Sequence, residues 1–134
     1  MAPALPTHAR TGQHTLPRHG TEDPRFPRPQ SPTLTRCQVS PTLFDFERGD
    51  YARKVPELAQ ARSACARCPL AADCLLWALV NMGTTTVGII AGTTPRQRTQ
   101  LRSRLAARLG PDWVDVLADR EAARDRTAVR GRAA

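Results

Sequence analysis

At 134 residues the chain is long enough for one domain, yet only 4% of it is aromatic and twelve prolines interrupt it, so well under its full length can pack into a core. The net charge of +8 excludes an acidic chain and points to an anionic polymer as partner, nucleic acid ahead of a membrane surface; a solvated arginine-rich surface is the plainer alternative. No run is long and apolar enough to span a bilayer, and the first 30 residues lack the continuous apolar stretch of a secretory signal, so a cytoplasmic protein is expected.

Residues 1–36 hold seven of the prolines and all three histidines and read as a disordered tail. His8, His14 and His19 are too widely spaced there to preorganise a metal site. Five arginines against Glu22 and Asp23 make this tail basic, residues 37–92 are neutral, and residues 93–134 carry ten arginines against five acids, so the surplus charge sits in the flanks. From Cys37 the character changes: Val39, Leu43, Phe44 and Phe46 surround a turn at Ser40-Pro41, as in a loop that packs onto something else. A first helix is predicted from Val55, with Pro56 at its start and Glu57 in its positive first turn, to about Ala64. A second begins near Pro69 and runs through Leu75, Leu76, Trp77, Leu79 and Val80 until Asn81 and Gly83 stop it. The β-branched, glycine-marked stretch 84–92 reads as a turn or short hairpin. A third helix has Thr94 as N-cap, Pro95 at its first position and Leu101, Leu105 and Leu109 on one face, ending at Gly110-Pro111. A fourth starts at Pro111 and places Trp113, Val114, Leu117 and Ala118 on one side. The expected fold is small and all-α, about four short helices forming a domain over 37–109, between the disordered tail 1–36 and a basic C-terminal helix and tail over 110–134.

All four cysteines fall between Cys37 and Cys74. In a reducing compartment such a group binds metal or does redox work more often than it forms disulfides. Cys65-Ala-Arg-Cys68 sets two sulfurs across one tight turn, Cys74 follows on the next helix, and Cys37 must come from twenty-eight residues before Cys65. Four thiolates suit either an iron–sulfur cluster or tetrahedral zinc. Zinc modules usually supply two short-spaced pairs, whereas three clustered cysteines plus one remote favour a cluster, so spacing leans to the cluster and leaves zinc open. A thiol–disulfide oxidoreductase using Cys65 and Cys68, activated by a helix N-terminus and by Arg62 or Arg67, is a further alternative, although the βαβ context of that motif is missing.

These residues resemble the WhiB-like family of bacterial transcriptional regulators from Cys37 to about Arg104. Cys37 followed by Ser40-Pro41-Thr42-Leu43-Phe44 looks like the family's first cysteine and its D-P-x-L-F segment, with serine in place of aspartate. Cys65-Ala-Arg-Cys68-Pro69-Leu-Ala-Ala-Asp-Cys74 reproduces its C-x2-C-P-x4-C block. Val87-Gly88-Ile89-Ile90-Ala91-Gly92 occupies the place of its G-[VI]-W-G-G turn, and the following Thr-Thr-Pro-Arg96-Gln-Arg98 that of its T-x-x-E-R helix start. Ile90 replaces the tryptophan and Ala91 one of the glycines.

The resemblance implies one [4Fe–4S] cluster per chain on Cys37, Cys65, Cys68 and Cys74, responsive to oxygen or nitric oxide, in a regulator rather than an enzyme, with DNA, the primary sigma factor of RNA polymerase, or both as partner. Loss of the cluster would release the cysteines to pair as disulfides and change the surface offered to DNA or polymerase. Ile90 can exclude water but offers no indole face or N–H, which weakens the implied sigma-factor contact. The family's DNA-contacting part is its basic C-terminal region, which here makes Arg96, Arg98, Arg102, Arg104 and Arg108 candidates for phosphate contact. Arg130-Gly131-Arg132 resembles half of an AT-hook, a minor-groove element.

Overall fold

The computed structural model describes residues 22–133, with side chains described from 22 to 132. Among these residues the chain forms six α-helices and no named strand: α1 (Arg36–Val39), α2 (Asp50–Arg53), α3 (Val55–Ala66), α4 (Ala71–Val80), α5 (Pro95–Leu109) and α6 (Trp113–Ala133), with short 3-10 turns at Pro41–Phe44 and Met82–Thr84. The all-α expectation holds, and the two extra helices are single turns too short to show a 3.6-residue period. His8, His14 and His19 lie outside the described residues.

Local chemistry accounts for the long helices. Pro56 and Glu57 open α3, where a missing N–H costs nothing and a carboxylate meets the positive helix end. The chain then bends by 110° between α3 and α4. Pro69 lies in that bend rather than in the second helix: Cys68 N–H donates to Cys65 O and Ala71 N–H to Cys68 O, so α4 starts two residues later than the proline suggested. Its end is closed by Asn81, buried, whose backbone and side-chain amides both donate to Trp77 O. Thr94 caps α5, accepting from Gln97 N–H at 3.2 Å while Gln97 Oε1 accepts from Thr94 N–H at 2.9 Å, a reciprocal capping box. Gly110, at φ +97°, ends it.

The core lies in two patches. Phe44, Phe46, Ala61 and Ile89 form the first, with Leu43, Tyr51, Leu58, Ala64 and Cys65 against it. Phe26, Trp77, Ala78, Leu79 and Ala118 are also buried, where α4 packs on α5 and α5 on α6. Among the described residues nine apolar side chains are buried and three of them are alanines. A core so small rarely supplies more than about 3–5 kcal/mol, so a cross-link through the cysteines would matter to the fold. No single described helix is long and apolar enough to cross a membrane.

Two expectations need correction. The disordered tail expected over 1–36 lies outside the described residues for 1–21, but residues 22–35 form a strap docked on the body. Phe26 is 3% exposed, Asp23 N–H donates to Asn81 Oδ1 at 2.7 Å, and Arg25 pairs with Asp115 at 2.9 Å. One buried phenylalanine and one buried amide acceptor hold a proline-rich segment that composition alone assigns to disorder. Second, α6 continues helically through Arg130 and Arg132. A helix turns residues two apart by about 200°, so these arginines diverge and the extended R-G-R of a minor-groove hook is not formed.

The 85–94 stretch is a tight turn, not a hairpin. It has one isolated bridge, Ile90 to Thr93, and three residues at positive φ: Gly88 (+76°), Ala91 (+51°) and Gly92 (+72°). A Cβ on Gly88 would lie 2.9 Å from Phe44 O, whereas one on Gly92 would meet nothing closer than Cys65 Cβ at 3.7 Å. Gly92→Ala is therefore expected to cost about 1–2 kcal/mol from backbone conformation alone, and Gly88→Ala about 3 kcal/mol or more because the clash adds to it. Urea unfolding of the two variants checks the ranking.

Candidate metal centre

Each cysteine is delivered by a different local device. Cys37 sits on α1, whose start is tied by Thr35 N–H donating to Gln38 Oε1 at 2.8 Å, and its Sγ lies 3.1 Å from Thr35 Oγ1. Cys65 is in the last turn of α3, Cys68 in the bend, and Cys74 in the first turns of α4, with its N–H donating to Leu70 O at 2.8 Å. All four are free thiols, Cys37 exposed and the others half-buried.

The four line one cavity of about 330 Å³, together with Phe44, Leu70, Trp77, Ile89, Ile90 and Ala91. That volume is roughly ten times a water's share of liquid, about 30 Å³. Among the described residues no three His, Cys, Asp or Glu side chains converge closely enough to hold a single metal ion; the thiols stand around a chamber instead. Arg28 and Pro29 of the strap complete its wall. Arg28 is held there by its stacking over Trp77, 4.7 Å from the ring centroid, and by Glu22, at 2.6 Å, which also accepts from Trp77 Nε1–H at 3.3 Å.

Electrostatics bear on Cys65 as an attacking thiol and on Cys74 beside it. Burial pushes the Cys74 thiol up to about 11, with the neighbouring Cys65, Cys37 and Cys68 adding to it. Burial also raises Cys65, opposed by backbone N–H groups of Gly92 and Ala91. An attacking thiol of an oxidoreductase needs the opposite, a depressed pKa. Arg62, one proposed activator, instead donates to Gln97 Oε1 at 3.3 Å. Cysteine ligands bind metal as thiolates, so metal binding displaces the protons that burial holds on Cys65 and Cys74. Soft sulfur donors, apolar walls and N–H donors from the 88–92 turn fit an iron–sulfur cluster; the cluster would be held by Cys37, Cys65, Cys68 and Cys74.

The arginines expected to meet phosphate divide into two groups. Arg96, Arg104, Arg108, Arg130 and Arg132 are exposed. Arg98 is not: it is 0% exposed, and its guanidinium donates to the carbonyls of Thr85, Val87, Gly88 and Thr93. Arg102 is also turned inward, donating to Leu79 O at 2.7 Å, Ala78 O at 2.8 Å and Thr85 Oγ1 at 3.1 Å. Arg98 therefore leaves the set of phosphate contacts, and Arg102 has its donors engaged within the fold. Arg28, Glu22 and Trp77 form a part of the site that motif reading missed. Nothing in a proline-rich segment signals it except the lone Phe26.

Among known proteins, the family model described as Transcription factor WhiB matches residues 33–101. No curated protein and no solved structure matches the chain.

Ala91 bears on the site directly, because it lines the cavity while holding φ at +51°, where a Cβ costs roughly 1–2 kcal/mol. Ala91→Gly removes that strain but adds unfolded-state freedom worth about 0.4–1 kcal/mol. The expected outcome is a net gain of about 0.5–1 kcal/mol in the metal-free chain, read from its unfolding midpoint.

Proposed function

The chain belongs to the WhiB family of transcription factors, and from that premise we propose that it is a regulator holding one [4Fe–4S] cluster on Cys37, Cys65, Cys68 and Cys74 and meeting DNA through the outward arginines of α5 and α6. The observation that carries this reading is the convergence of four thiols from three separated stretches of chain on one apolar-walled cavity. A cluster supplies a centre that gains or loses electrons and reacts with oxidising small molecules.

The chain's own residues do the rest. Phe44, Ile89 and Ile90 wall the cavity with hydrocarbon, and the strap residues Arg28 and Pro29 close it from the N-terminal side. Ala91 and Gly92 present backbone N–H groups to Cys65, where they favour ionised sulfur. Cys37 is the exposed member of the set. It sits on α1, next to the Pro41–Phe44 turn that packs on α3, so release of its sulfur acts directly on α1 and that turn. Ile90 brings no indole face or N–H to the turn, so DNA is favoured over the primary sigma factor as direct partner.

Anaerobic purification tests the cofactor. About four irons and four sulfides per chain are expected, with stable loading abolished by Cys74→Ala; a colourless chain with one zinc, or a fully loaded Cys74→Ala protein, sinks the assignment. For DNA, the slope of log K against log salt falls by about 0.9 for each phosphate that the protein no longer neutralises. Arg104→Gln with Arg108→Gln is therefore expected to weaken binding to any duplex and flatten the slope by about 1.8, as measured by fluorescence anisotropy across a salt series. An unchanged slope would place the DNA contact elsewhere.

A further inference from the structure

Arg98 is the largest fully buried side chain among the described residues. Nε and one terminal nitrogen donate to Thr85 O at 3.2 and 3.0 Å, the same nitrogen reaches Gly88 O at 3.1 Å and Val87 O at 3.2 Å, and the other terminal nitrogen donates to Thr93 O at 2.6 Å. Carbonyl dipoles satisfy these donors but leave a full positive charge inside the fold. All twelve acidic side chains lie between Glu22 and Asp125, within the described residues, and none forms an ion pair with Arg98 or Arg102. A buried charge with hydrogen bonds but no counter-charge is costly.

The position of that charge indicates what compensates it. Arg98 holds the 85–93 turn from beneath, while the same turn sets Ile89, Ile90 and Ala91 in the wall of the cysteine cavity. Arg102, one helical turn along α5, binds the carbonyl end of α4, the helix that carries Cys74. Tyr51, Arg102 and Cys74 are the titratable groups that act on Arg98. Burial pulls its guanidinium down to about 10, so it remains charged at neutral pH.

We propose that Arg98, seconded by Arg102, is the internal counter-charge of the metal centre, setting its reduction potential and making the stability of the 85–93 turn depend on occupancy. This rests on the four-cysteine cluster reading. Four thiolates on an oxidised [4Fe–4S] core sum to a charge of about −2, and one electron from an external reductant such as dithionite makes it more negative by one. A cation behind the turn favours the reduced form, and its removal lowers the potential.

The test uses the full chain, purified anaerobically as wild type, Arg98→Met, Arg98→Lys and Arg102→Met. Iron, sulfide, reduction potential and thermal unfolding with and without cluster are measured for each. A wild type without iron and sulfide ends the cluster reading and this proposal with it. With a loaded wild type, both methionine variants should be reduced at lower potential, Arg98→Lys should keep the wild-type potential despite its missing hydrogen bonds, and the stabilisation that the cluster confers should shrink in Arg98→Met. Equal potentials in all four proteins, or a shift in Arg98→Lys as large as in Arg98→Met, would overturn the proposal and leave Arg98 a hydrogen-bonding residue only. Should Arg98→Met not fold, Arg102→Met against Arg98→Lys gives the same contrast of charge removed against charge kept.

Discussion

The guanidinium of Arg98, closed off from solvent beneath the 85–93 turn, is the constraint on which the rest of the structure leans. That turn has one isolated bridge and three residues at positive φ, one of them an alanine, and such a backbone does not hold its shape unaided. Arg98 draws the carbonyls of Thr85, Val87, Gly88 and Thr93 to a single point on α5. With the turn fixed, Ile89 N–H reaches Phe44 O at 2.9 Å, and the Pro41–Phe44 turn beside α1 is aligned in its wake. Two walls of the cysteine cavity thus follow from one buried side chain of α5.

The cavity occupies the seam between the two halves of a small core. Phe44, Phe46, Ala61 and Ile89 lie on one side, Phe26, Trp77, Ala78, Leu79 and Ala118 on the other, and the cysteines come from both. Cys65 packs against the first group, and Cys74 belongs to the helix that carries Trp77. The strap closes the seam. Its ion pairs are largely exposed and contribute little. Its docking rests mainly on Phe26, whose burial contributes on the order of 2 kcal/mol, and on the Asp23 to Asn81 hydrogen bond.

Much of this was legible in the sequence wherever a local rule and the packing agreed. Thr94-Pro95 with Gln97 announces the start of α5, Gly110-Pro111 its end, and both fall where expected. The cysteine spacing likewise anticipates one common location. The short α1 and α2 were not legible, since four residues carry no period. The strap was hidden because composition averages over a segment, and a single phenylalanine does not change the average. Arg98 was misjudged because an arginine in a basic run reads as surface. Its position said otherwise: at about 100° per residue, Leu101, Leu105 and Leu109 span an arc of about 80°, and Arg98 projects inside it, about 60° from Leu101. A charged residue within an apolar stripe is the signal for a buried, hydrogen-bonded cation, and it is readable from angle rather than residue type.

Exposure to solvent separates the two tasks of α5. Arg98 and Arg102 face the turn and the end of α4, while Arg96, Arg104 and Arg108 face solvent. One helix therefore carries both the inward cations that bear on the metal centre and the outward cations placed for phosphate. On the proposed reading this is a physical link between sensing and binding. The centre's negative charge lowers the cost of keeping two arginines inside, and without it the balance moves toward releasing them to water. Their release would loosen the 85–93 turn and the register of α5 against α4, and with it the spacing of the outer arginines that a duplex meets. The coupling needs no pathway through distant residues, because α5 itself touches both ends.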